Sequence, residues 1–333
     1  MAPNARRIVA ACLSLAVVLM LPASASAALT DQQRAQRGTG FIAGMQRPNG
    51  SIPAFSPIGS TADAVLAFVA TGSGRPAMRE ALGYLRRQVA AGNVTAVGLQ
   101  AKVVMAASAV GRDPRTFGGT NLLQAIRSQI GNDGHIDDAA VFDQALGVLA
   151  IEAAGVKPAT SVTTWLLDAQ CPDGGWSYDT PYAPGTDDNH CDDGSGTDFF
   201  TSDSNSTSYV VQALAAAGRT SWGSDPFAFF ETVRDPDHGG WSYSTGFIAT
   251  DANSTGLVLQ AYIAGGEPIP TGGLKSLRTL QYPACGAWAY TWDGDVKGDP
   301  DVGATIGAIP GLLRSPFPLN RPVTGPAPAT LAC

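Results

Sequence analysis

Basic side chains are scarce in this 333-residue sequence. Lysine and arginine total 21 against 28 aspartates and glutamates, which gives a formal net charge of −7 at pH 7. Proteins that bind nucleic acid present a basic face to the phosphates, and attraction to an anionic membrane surface also depends on lysine and arginine. The composition therefore argues against both kinds of partner.

Several common catalytic signatures are also missing. The sequence has no glycine-rich phosphate loop, no serine nucleophile elbow and no zinc-protease motif. Histidine is rare, with only His135, His190 and His238. The chain therefore carries no complete motif of these kinds.

Long apolar runs are absent except near the N-terminus. There, Arg6 and Arg7 precede an apolar stretch at 8–21, and small residues follow at 25–27. This three-part pattern is typical of a secretory signal peptide, and the run is short for a membrane helix, which needs about 20 residues. We predict that residues 1–27 are a signal peptide and that the mature protein is secreted.

Cysteine is infrequent, and four of the five cysteines lie beyond the predicted signal, at Cys171, Cys191, Cys285 and Cys333. An even number in an exported protein predicts two disulfides, for which three pairings exist. We favour Cys171–Cys191, which would close an inserted loop, and Cys285–Cys333, which would hold the C-terminal tail. Ligation of a metal by thiolates is the alternative.

What the sequence does contain is a repeat. A glutamine is followed by a short gap, a glycine and, two residues later, an apolar residue. The copies are Gln46…Gly50–Ile52, Gln88…Gly92–Val94, Gln129…Gly134–Ile136, Gln170…Gly174–Trp176, Arg234…Gly239–Trp241 and Gln281…Gly286–Trp288. A second pattern follows each turn, and its best copies have a threonine and, five residues later, a glutamine beside an alanine, as in Thr207 and Gln212. Two patterns in six units identify a repeat array.

Each unit reads as helix, glycine turn, helix. The segment before the turn is amphipathic, as in 76–90, whereas the segment after it is apolar on nearly all sides, as in 95–110 and 140–154. These properties predict outer and inner helices respectively. Six pairs predict an all-α fold, an (α/α)6 toroid (barrel) of six helical hairpin repeats.

We assign the toroid to residues 28–314, with an insertion at about 179–202, and a proline-rich tail to 315–333. Glycines such as Gly72 and Gly265 are expected to end the inner helices. The turn aromatics are expected to be structural: Trp176, Trp241 and Trp288.

The segment Trp165-Leu166-x3-Gln170-x3-Gly174-x-Trp176 resembles the QW repeat of squalene–hopene and oxidosqualene cyclases. Leu280-Gln281…Gly286-x-Trp288 is a second such copy. The resemblance covers roughly residues 31–314 and implies the (α/α)6 toroid of the terpenoid cyclase and protein prenyltransferase superfamily. The toroid of the cobalamin carriers transcobalamin and intrinsic factor has the same fold.

The resemblance implies two kinds of chemistry that this sequence does not match. The cyclases protonate a polyene with an aspartate in a D-x-D-D motif, and no D-x-D-D occurs here. The prenyltransferases bind zinc through Asp, Cys and His. His190-Cys191-Asp192 supplies these types, but adjacent residues point in different directions. Only the fold is therefore carried over.

The insertion is rich in hard oxygen donors that suit Ca²⁺ at extracellular concentrations. The candidate calcium ligands are Asp187, Asp188, Asp192 and Asp193. A solvated acidic loop without a metal is the alternative.

Other candidate ligand-binding residues lie on or before the inner helices. Acidic residues recur at the helix entrances, where they would cap helices or form a ring of carboxylates. Glutamines inside the ring would offer neutral donors and acceptors, which suit ligand binding better than proton transfer. The candidates are Asp63, Gln100, Asp143, Gln144, Tyr209, Gln212, Asp251 and Gln260.

The sequence thus favours an exported toroid that binds a small molecule or a partner at the central funnel. The ligand would be isoprenoid or cobalamin-like. One alternative is a terpenoid cyclase or prenyltransferase-like enzyme acting on an isoprenoid through a carboxyl such as Asp143 or Asp251. A second alternative is a structural module of the cell envelope, whose funnel would be filled by side chains.

Overall fold

The computed structural model describes residues 28–137, 139–179, 201–330 and 332–333. Within these residues, twelve α-helices follow one another in alternating outer and inner positions. The outer helices are α1 (Asp31–Gly44), α3 (Arg75–Ala90), α5 (Leu122–Arg127), α7 (Thr160–Asp168), α9 (Pro226–Thr232) and α11 (Gly273–Leu280). The inner helices are α2 (Pro57–Thr71), α4 (Val97–Ala109), α6 (Val141–Ala153), α8 (Ser204–Ala216), α10 (Ala252–Gly265) and α12 (Val302–Leu312).

The inner helices form a closed ring. Each contacts the next inner helix along the chain, and α12 packs against α2 to complete the circle. The outer layer closes too, because Arg278 on α11 pairs with Asp31 on α1 at 2.7 Å. The predicted (α/α)6 toroid is therefore confirmed.

Small residues allow the inner helices to approach closely. A Cβ built on Gly256 of α10 would lie 2.3 Å from the carbonyl oxygen of Gly307 on α12. The inner helices accordingly contribute mainly Ala, Val and Leu to the core, and most residues of α2 and α10 are buried. A helix that is apolar all round must be enclosed by protein in this way.

Glycines end several inner helices as expected. Gly72 follows α2 in the left-handed conformation, with φ of 68°. The cap of α10 is Gly266, with φ of 81°, one residue beyond the predicted Gly265. Both positions require a positive φ, which glycine adopts without steric cost.

The turns are held by buried tryptophans and short strands. Trp176, Trp241 and Trp288 are fully buried, in agreement with a structural role. The strands are β1 (Trp176–Ser177), β2 (Ser202–Asp203), β3 (Trp288–Ala289), β4 (Trp292–Asp293), β5 (Val296–Lys297) and β6 (Pro300–Asp301). They pair antiparallel as β1–β2, β3–β6 and β4–β5.

The turn glutamines connect neighbouring repeats. Gln170 Nε2 donates to the carbonyl oxygens of Gly174 and Ser224, each at 2.9 Å. Gln281 similarly reaches Gly286 and Arg34 of α1. Each amide therefore links its own turn to the start of the next outer helix. This contact between units cannot be read from the sequence.

In the structure, the residues of the second repeat pattern that occupy equivalent positions in different units are not all those that the sequence pattern aligns. Thr207 and Thr255 accept hydrogen bonds from the backbone N–H groups of Trp176 and Trp241. In the third unit Gln144 performs this task, accepting from the N–H of Ile136 at 2.8 Å. Gln144 is thus equivalent to a threonine of other units, because position relative to the turn, and not residue type, sets the register.

The C-terminal tail lies against the ring. The Gly325 carbonyl oxygen accepts from the N–H groups of Gly74 and Arg75 at 3.0 and 2.9 Å. The predicted Cys285–Cys333 disulfide is present. Cys171 is also disulfide-bonded, whereas its predicted partner Cys191 lies outside the described residues, so that pairing stays a prediction.

No described helix is both long enough and apolar enough to cross a lipid bilayer. The predicted signal peptide at 1–27 lies outside the described residues, and most of the insertion at about 179–202 does as well.

Candidate functional site

The centre of the ring holds a cavity of about 230 Å³ that all six inner helices line. Its aromatic wall consists of Phe55, Phe142, Tyr209 and Phe317. Its polar groups include Asp63, Lys102, Asn205, Asn253 and Gln260. A recessed site with an apolar wall and a few polar groups is the usual form of a small-molecule site.

A second cavity of about 260 Å³ adjoins the first and shares Phe55, Ser60, Asp63 and Lys102 with it. Asp143 and Tyr178 also line it. The inner helices all begin on the side of the glycine turns, so these residues lie toward that end, which we call the mouth. Together the two spaces reach the range of about 300–1,000 Å³ typical of ligand sites.

Lys102 and Asp63 form an ion pair at the boundary of the two cavities. The Nζ–Oδ2 distance is 2.7 Å, and their side chains are 19% and 26% exposed. Burial disfavours the charged ammonium, but the Asp63 carboxylate more than compensates, so the pKa of Lys102 lies above its ordinary value. Lys102 is therefore charged at neutral pH.

Asp143 lies in the first turn of α6 and faces the same space. Burial raises the pKa of its carboxyl, while the charge of Lys102 acts in the opposite direction. A carboxyl in these surroundings holds a proton more readily than one in water.

Four aromatic rings run from the mouth into the cavity. Tyr178 lies 5.3 Å from Phe142 between ring centroids, and Phe142 lies 5.0 Å from Tyr209 in an edge-to-face arrangement. Tyr209 and Phe317 are 6.3 Å apart and nearly parallel. We call these four residues the aromatic column. They supply π-faces and apolar surface along one wall.

Three tyrosines occupy equivalent positions at the mouth: Tyr178, Tyr243 and Tyr290, the mouth tyrosines. Each follows a buried turn tryptophan by two residues. Their carbonyl oxygens accept from the first turn of the preceding inner helix, at Phe142, Ser204 and Ala252 respectively. The repeat therefore places one tyrosine beside the N-terminus of each of α6, α8 and α10.

Buried carboxylates cap two of these helices. Asp203 Oδ1 accepts from the N–H of Ser206, and Asp251 Oδ1 from that of Ser254, both at 2.7 Å. Burial raises the pKa of each carboxyl to about 6, although these hydrogen bonds oppose the shift. The second oxygen of Asp203 is buried, and hydrogen bonding from the Tyr243 side chain also opposes the rise in the pKa of Asp203, as hydrogen bonding from the Tyr290 side chain does for Asp251.

The candidate glutamines are mainly bonded to the backbone. Gln144 Nε2 donates to the carbonyl oxygen of Gly134, and Gln100 Nε2 to that of Thr95. Gln212 Oε1 accepts from the N–H of Phe317, and Gln260 Nε2 donates to the carbonyl oxygen of Ser315. These amides satisfy buried polar groups, and those of Gln212 and Gln260 also hold the start of the tail against the ring.

The structure thus brings together only some of the residues predicted from the sequence. Asp63, Tyr209 and Gln260 line the central cavity, and Asp143 lines the adjoining one. The remaining candidates lie outside the lining of both cavities: Gln100, Gln144, Gln212 and Asp251. The ligand-binding roles of all eight stay predictions.

Sequence analysis did not identify three residues that line the cavity: Lys102, Phe55 and Phe317. Lys102 is the one cation on the inner face of α4, and its position one residue after Ala101 was a usable signal. Phe55 and Phe317 come from a loop and from the tail, where no helical periodicity marks them.

The candidate calcium ligands, Asp187, Asp188, Asp192 and Asp193, lie outside the described residues, so that site stays a prediction. In the part of the chain that the structure describes, no cluster of three or more His, Cys, Asp or Glu side chains could hold a metal ion.

No family model and no curated protein matches this chain. Its fold, however, is shared by solved structures. D-mannose isomerase is 11% identical, with a TM-score of 0.57 over 85% of this chain and 97% of that chain. An unsaturated glucuronyl hydrolase specific for heparin is 10% identical, with a TM-score of 0.56 over 85% and 96%.

The terpenoid cyclase resemblance is also confirmed at the level of the fold. The R337A variant of MstE, a type II terpene cyclase from Scytonema, is 12% identical to this chain. The TM-score is 0.55 over 85% of this chain and 97% of that chain, and that structure contains geranylgeranyl dihydroxybenzoate as its substrate. These neighbours all have toroids of the (α/α)6 type, and such distant similarity identifies architecture, not activity.

Proposed function

We propose that this protein is exported and binds a small molecule in the cavity at the centre of its toroid. The observation that supports this most directly is the pair of adjoining cavities, of about 230 and 260 Å³, lined along one wall by the aromatic column. An apolar wall with a few fixed polar groups suits a ligand that is largely apolar and carries one or two polar groups.

The polar groups of the cavity favour binding over chemistry. Lys102 and Asp63 neutralise each other at 2.7 Å, and the amide of Gln260 is held by Ser315 and Gln212. An ammonium group whose pKa is raised and a neutral amide are poor donors and acceptors of protons near neutral pH, so these groups are suited to orienting a ligand.

A neutral fluorescent probe tests the proposal. We expect N-phenyl-1-naphthylamine to bind the purified protein with increased fluorescence, because the cavity offers an aromatic wall. Ile306→Trp should abolish this signal, since Ile306 is 6% exposed and lines the cavity. Val296→Trp, at a position 70% exposed, is the matched control and should bind as the unmodified protein does.

Equal probe binding by the Ile306→Trp variant would contradict the proposal, provided that its circular dichroism shows the native helix content. Native mass spectrometry of protein from its own culture medium would then identify any molecule that co-purifies. The same sample tests export, because the proposed signal peptide predicts a mature chain that begins at Ala28.

A second candidate function is an enzyme that acts on an isoprenoid. Asp143 supports it, because the carboxyl faces the cavity, has a raised pKa and lies next to Phe142 of the aromatic column. The substrate bound to the MstE variant, geranylgeranyl dihydroxybenzoate, is itself an isoprenoid derivative.

Incubation with squalene and with isoprenoid diphosphates separates the two functions. A product that Asp143→Asn or Asp251→Asn abolishes would favour the enzyme, whereas unchanged substrates would favour binding alone. The third hypothesis, a structural module, expects a funnel filled by side chains, and cavities of this size count against it.

A further inference from the structure

Basic residues are concentrated in one part of an otherwise acidic chain. The segment 75–127 contains eight lysines and arginines but only two acidic residues, whereas the whole chain has a net charge of −7. One of the eight is Lys102 inside the ring, and the other seven are arginines, all of them exposed. A local excess of one sign attracts ligands of the opposite sign.

Three of these arginines line a groove on the outside of the toroid, which we call the arginine groove. It has a volume of about 500 Å³, and it is lined by Arg79 and Arg86 of the outer helix α3 and by Arg112 of the segment that follows α4. The half-buried Leu82 and the buried Phe117 also line it and give it an apolar floor. A concave site of this size is within the range of ligand sites.

The backbone fixes the shape of the arginine groove. Gly118 has a φ of 67°, and a Cβ built on it would lie 2.8 Å from the carbonyl oxygen of Arg86 and 2.7 Å from Cβ of Val89. The segment 111–118 therefore packs directly on α3. Arg79 and Arg86 are two helical turns apart, about 10 Å along the axis, so they project from the same face of α3. Their positions along the groove are thus set by the helix.

The cations of the groove have no acidic partner. In the described part of the chain, none of the three groove arginines forms an ion pair. Asp113 lines the groove as well, but it is paired with Arg115 at 3.3 Å. Glu80, the other acidic residue of the segment 75–127, does not line the groove. The groove therefore carries an excess of positive charge.

A compact ligand with several oxyanion groups fits this arrangement. A guanidinium group presents its N–H donors in a fork that matches the oxygens of phosphate and sulfate. Because α3 satisfies its own backbone, the groove offers an extended acidic peptide no strand edge to pair with. A long polyanion would extend from the groove onto a chain of net negative charge.

We propose that the arginine groove binds a compact molecule that carries two or more phosphate or sulfate groups. This site is additional to the central one, because it shares no lining residue with either cavity of the ring.

Calorimetric titration at neutral pH and low salt tests this inference. We expect inorganic tripolyphosphate to bind at least about tenfold more tightly than orthophosphate, since it can contact more than one guanidinium group. Sucrose octasulfate is the sulfated probe, and the tighter of the two polyanions identifies the preferred oxyanion. Hexaglutamate represents an acidic peptide and should bind more weakly than both. Added salt should weaken the binding, because the groove is exposed to solvent.

Variants assign the binding to the groove. Arg79→Gln and Arg86→Gln should each lower the affinity for tripolyphosphate by about three- to tenfold, and the triple variant with Arg112→Gln should not bind it. Lys275→Gln is the matched control, because it removes one exposed positive charge from α11, the outer helix of another repeat. Its affinity should equal that of the unmodified protein. Circular dichroism should show native helix content in every variant, since these side chains are exposed.

Equal affinity for tripolyphosphate and orthophosphate, tighter binding of hexaglutamate, or an equal loss in the Lys275→Gln variant would overturn the inference. Absence of binding by both polyanions would overturn it as well. The proposed function fails separately, because it depends on the Ile306→Trp effect on the neutral probe. Saturation with tripolyphosphate should leave binding of that probe unchanged, as the two sites have no residue in common.

Discussion

At the scale of single residues, charge inside the ring is balanced in an unusual way. Lys102 and Asp63 are partly enclosed and neutralise each other, whereas Asp203 and Asp251 are 2% and 6% exposed and form no ion pair within the described part of the chain. Enclosed charges are costly to leave unpaired. The stability of this protein should therefore respond to changes at both places.

Removal of one partner of the Lys102–Asp63 pair should destabilise the protein. Asp63→Asn leaves an uncompensated ammonium, and we expect a loss of about 1–3 kcal/mol in the free energy of unfolding, less than for a fully buried pair because both side chains keep some exposure. Urea unfolding measures it. Asp113→Asn, which breaks the exposed pair with Arg115, is the control and should cost about 0–1 kcal/mol. Equal losses of unfolding free energy in both variants would show that the enclosed pair stabilises the protein no more than the exposed pair does.

The buried caps predict a pH dependence. Burial raises the pKa of Asp203 and Asp251 from 3.8 to about 6, so between about pH 4 and pH 6 the folded state binds more protons than the unfolded state. Stability from these groups is full below pH 4 and is lost as the pH rises through about 6, by about 2–3 kcal/mol for each group.

The double variant Asp203→Asn/Asp251→Asn should flatten this dependence, because asparagine caps helices without a charge. Unfolding free energies at pH 4.5 and pH 7 provide the comparison. Relative to the unmodified protein, the variant should gain stability at pH 7. If the free energy of unfolding depended on pH identically in the two proteins, Asp203 and Asp251 would not be the source of this dependence.

At the scale of helices, packing between inner helices depends on glycine. The α10–α12 contact brings Gly256 and Gly307 together, with no room for a methyl group. Interiors tolerate added volume poorly, because side chains and backbone must shift to make room. This seam should be the most sensitive contact of the ring to added volume.

Gly256→Ala should therefore destabilise the protein by about 1–3 kcal/mol, despite the better helix propensity of alanine. Gly44→Ala, at the end of α1 with no atom within 4 Å of the new methyl group, is the matched control and should be neutral or stabilising by up to about 1 kcal/mol. Thermal melting of both variants measures the contrast, and equal melting temperatures would refute the close contact.

At the scale of the whole molecule, the tail completes the cavity. Phe317 supplies one of its walls, and Gln212 and Gln260 hold the adjacent backbone. The far end is fixed by the bond between Cys285 and Cys333, 48 residues apart in sequence. Ring, tail and cavity are thus one structural unit.

Loss of this disulfide should destabilise the fold. For a loop of 48 residues, chain entropy predicts a cost of about 4 kcal/mol for Cys285→Ser/Cys333→Ser. Denaturant unfolding under non-reducing conditions measures this loss of stability. Binding of the fluorescent probe reports separately on whether Phe317 still lines the cavity. A variant with unchanged stability would show that the backbone contacts of the tail are sufficient alone.

The sequence by itself determined the helices, their outer and inner assignment and the toroid, and it favoured the disulfide of the tail among three possible pairings. These follow from local signals, since apolar periodicity, turn glycines and cysteine number act within one unit or describe the chain as a whole. Even the tryptophans could be assigned to the turns.

Only the tertiary structure decided which side chains meet. Asp63 and Lys102 lie on different helices, Phe317 reaches the cavity from the tail, and Tyr243 stands beside Asp203 of another unit. Gln144 resembles the other glutamines in sequence yet takes the place of a threonine. The physical reason is that contacts between units depend on how the helices stack around the ring, and a repeat pattern specifies each unit but not the surfaces that it presents to its neighbours.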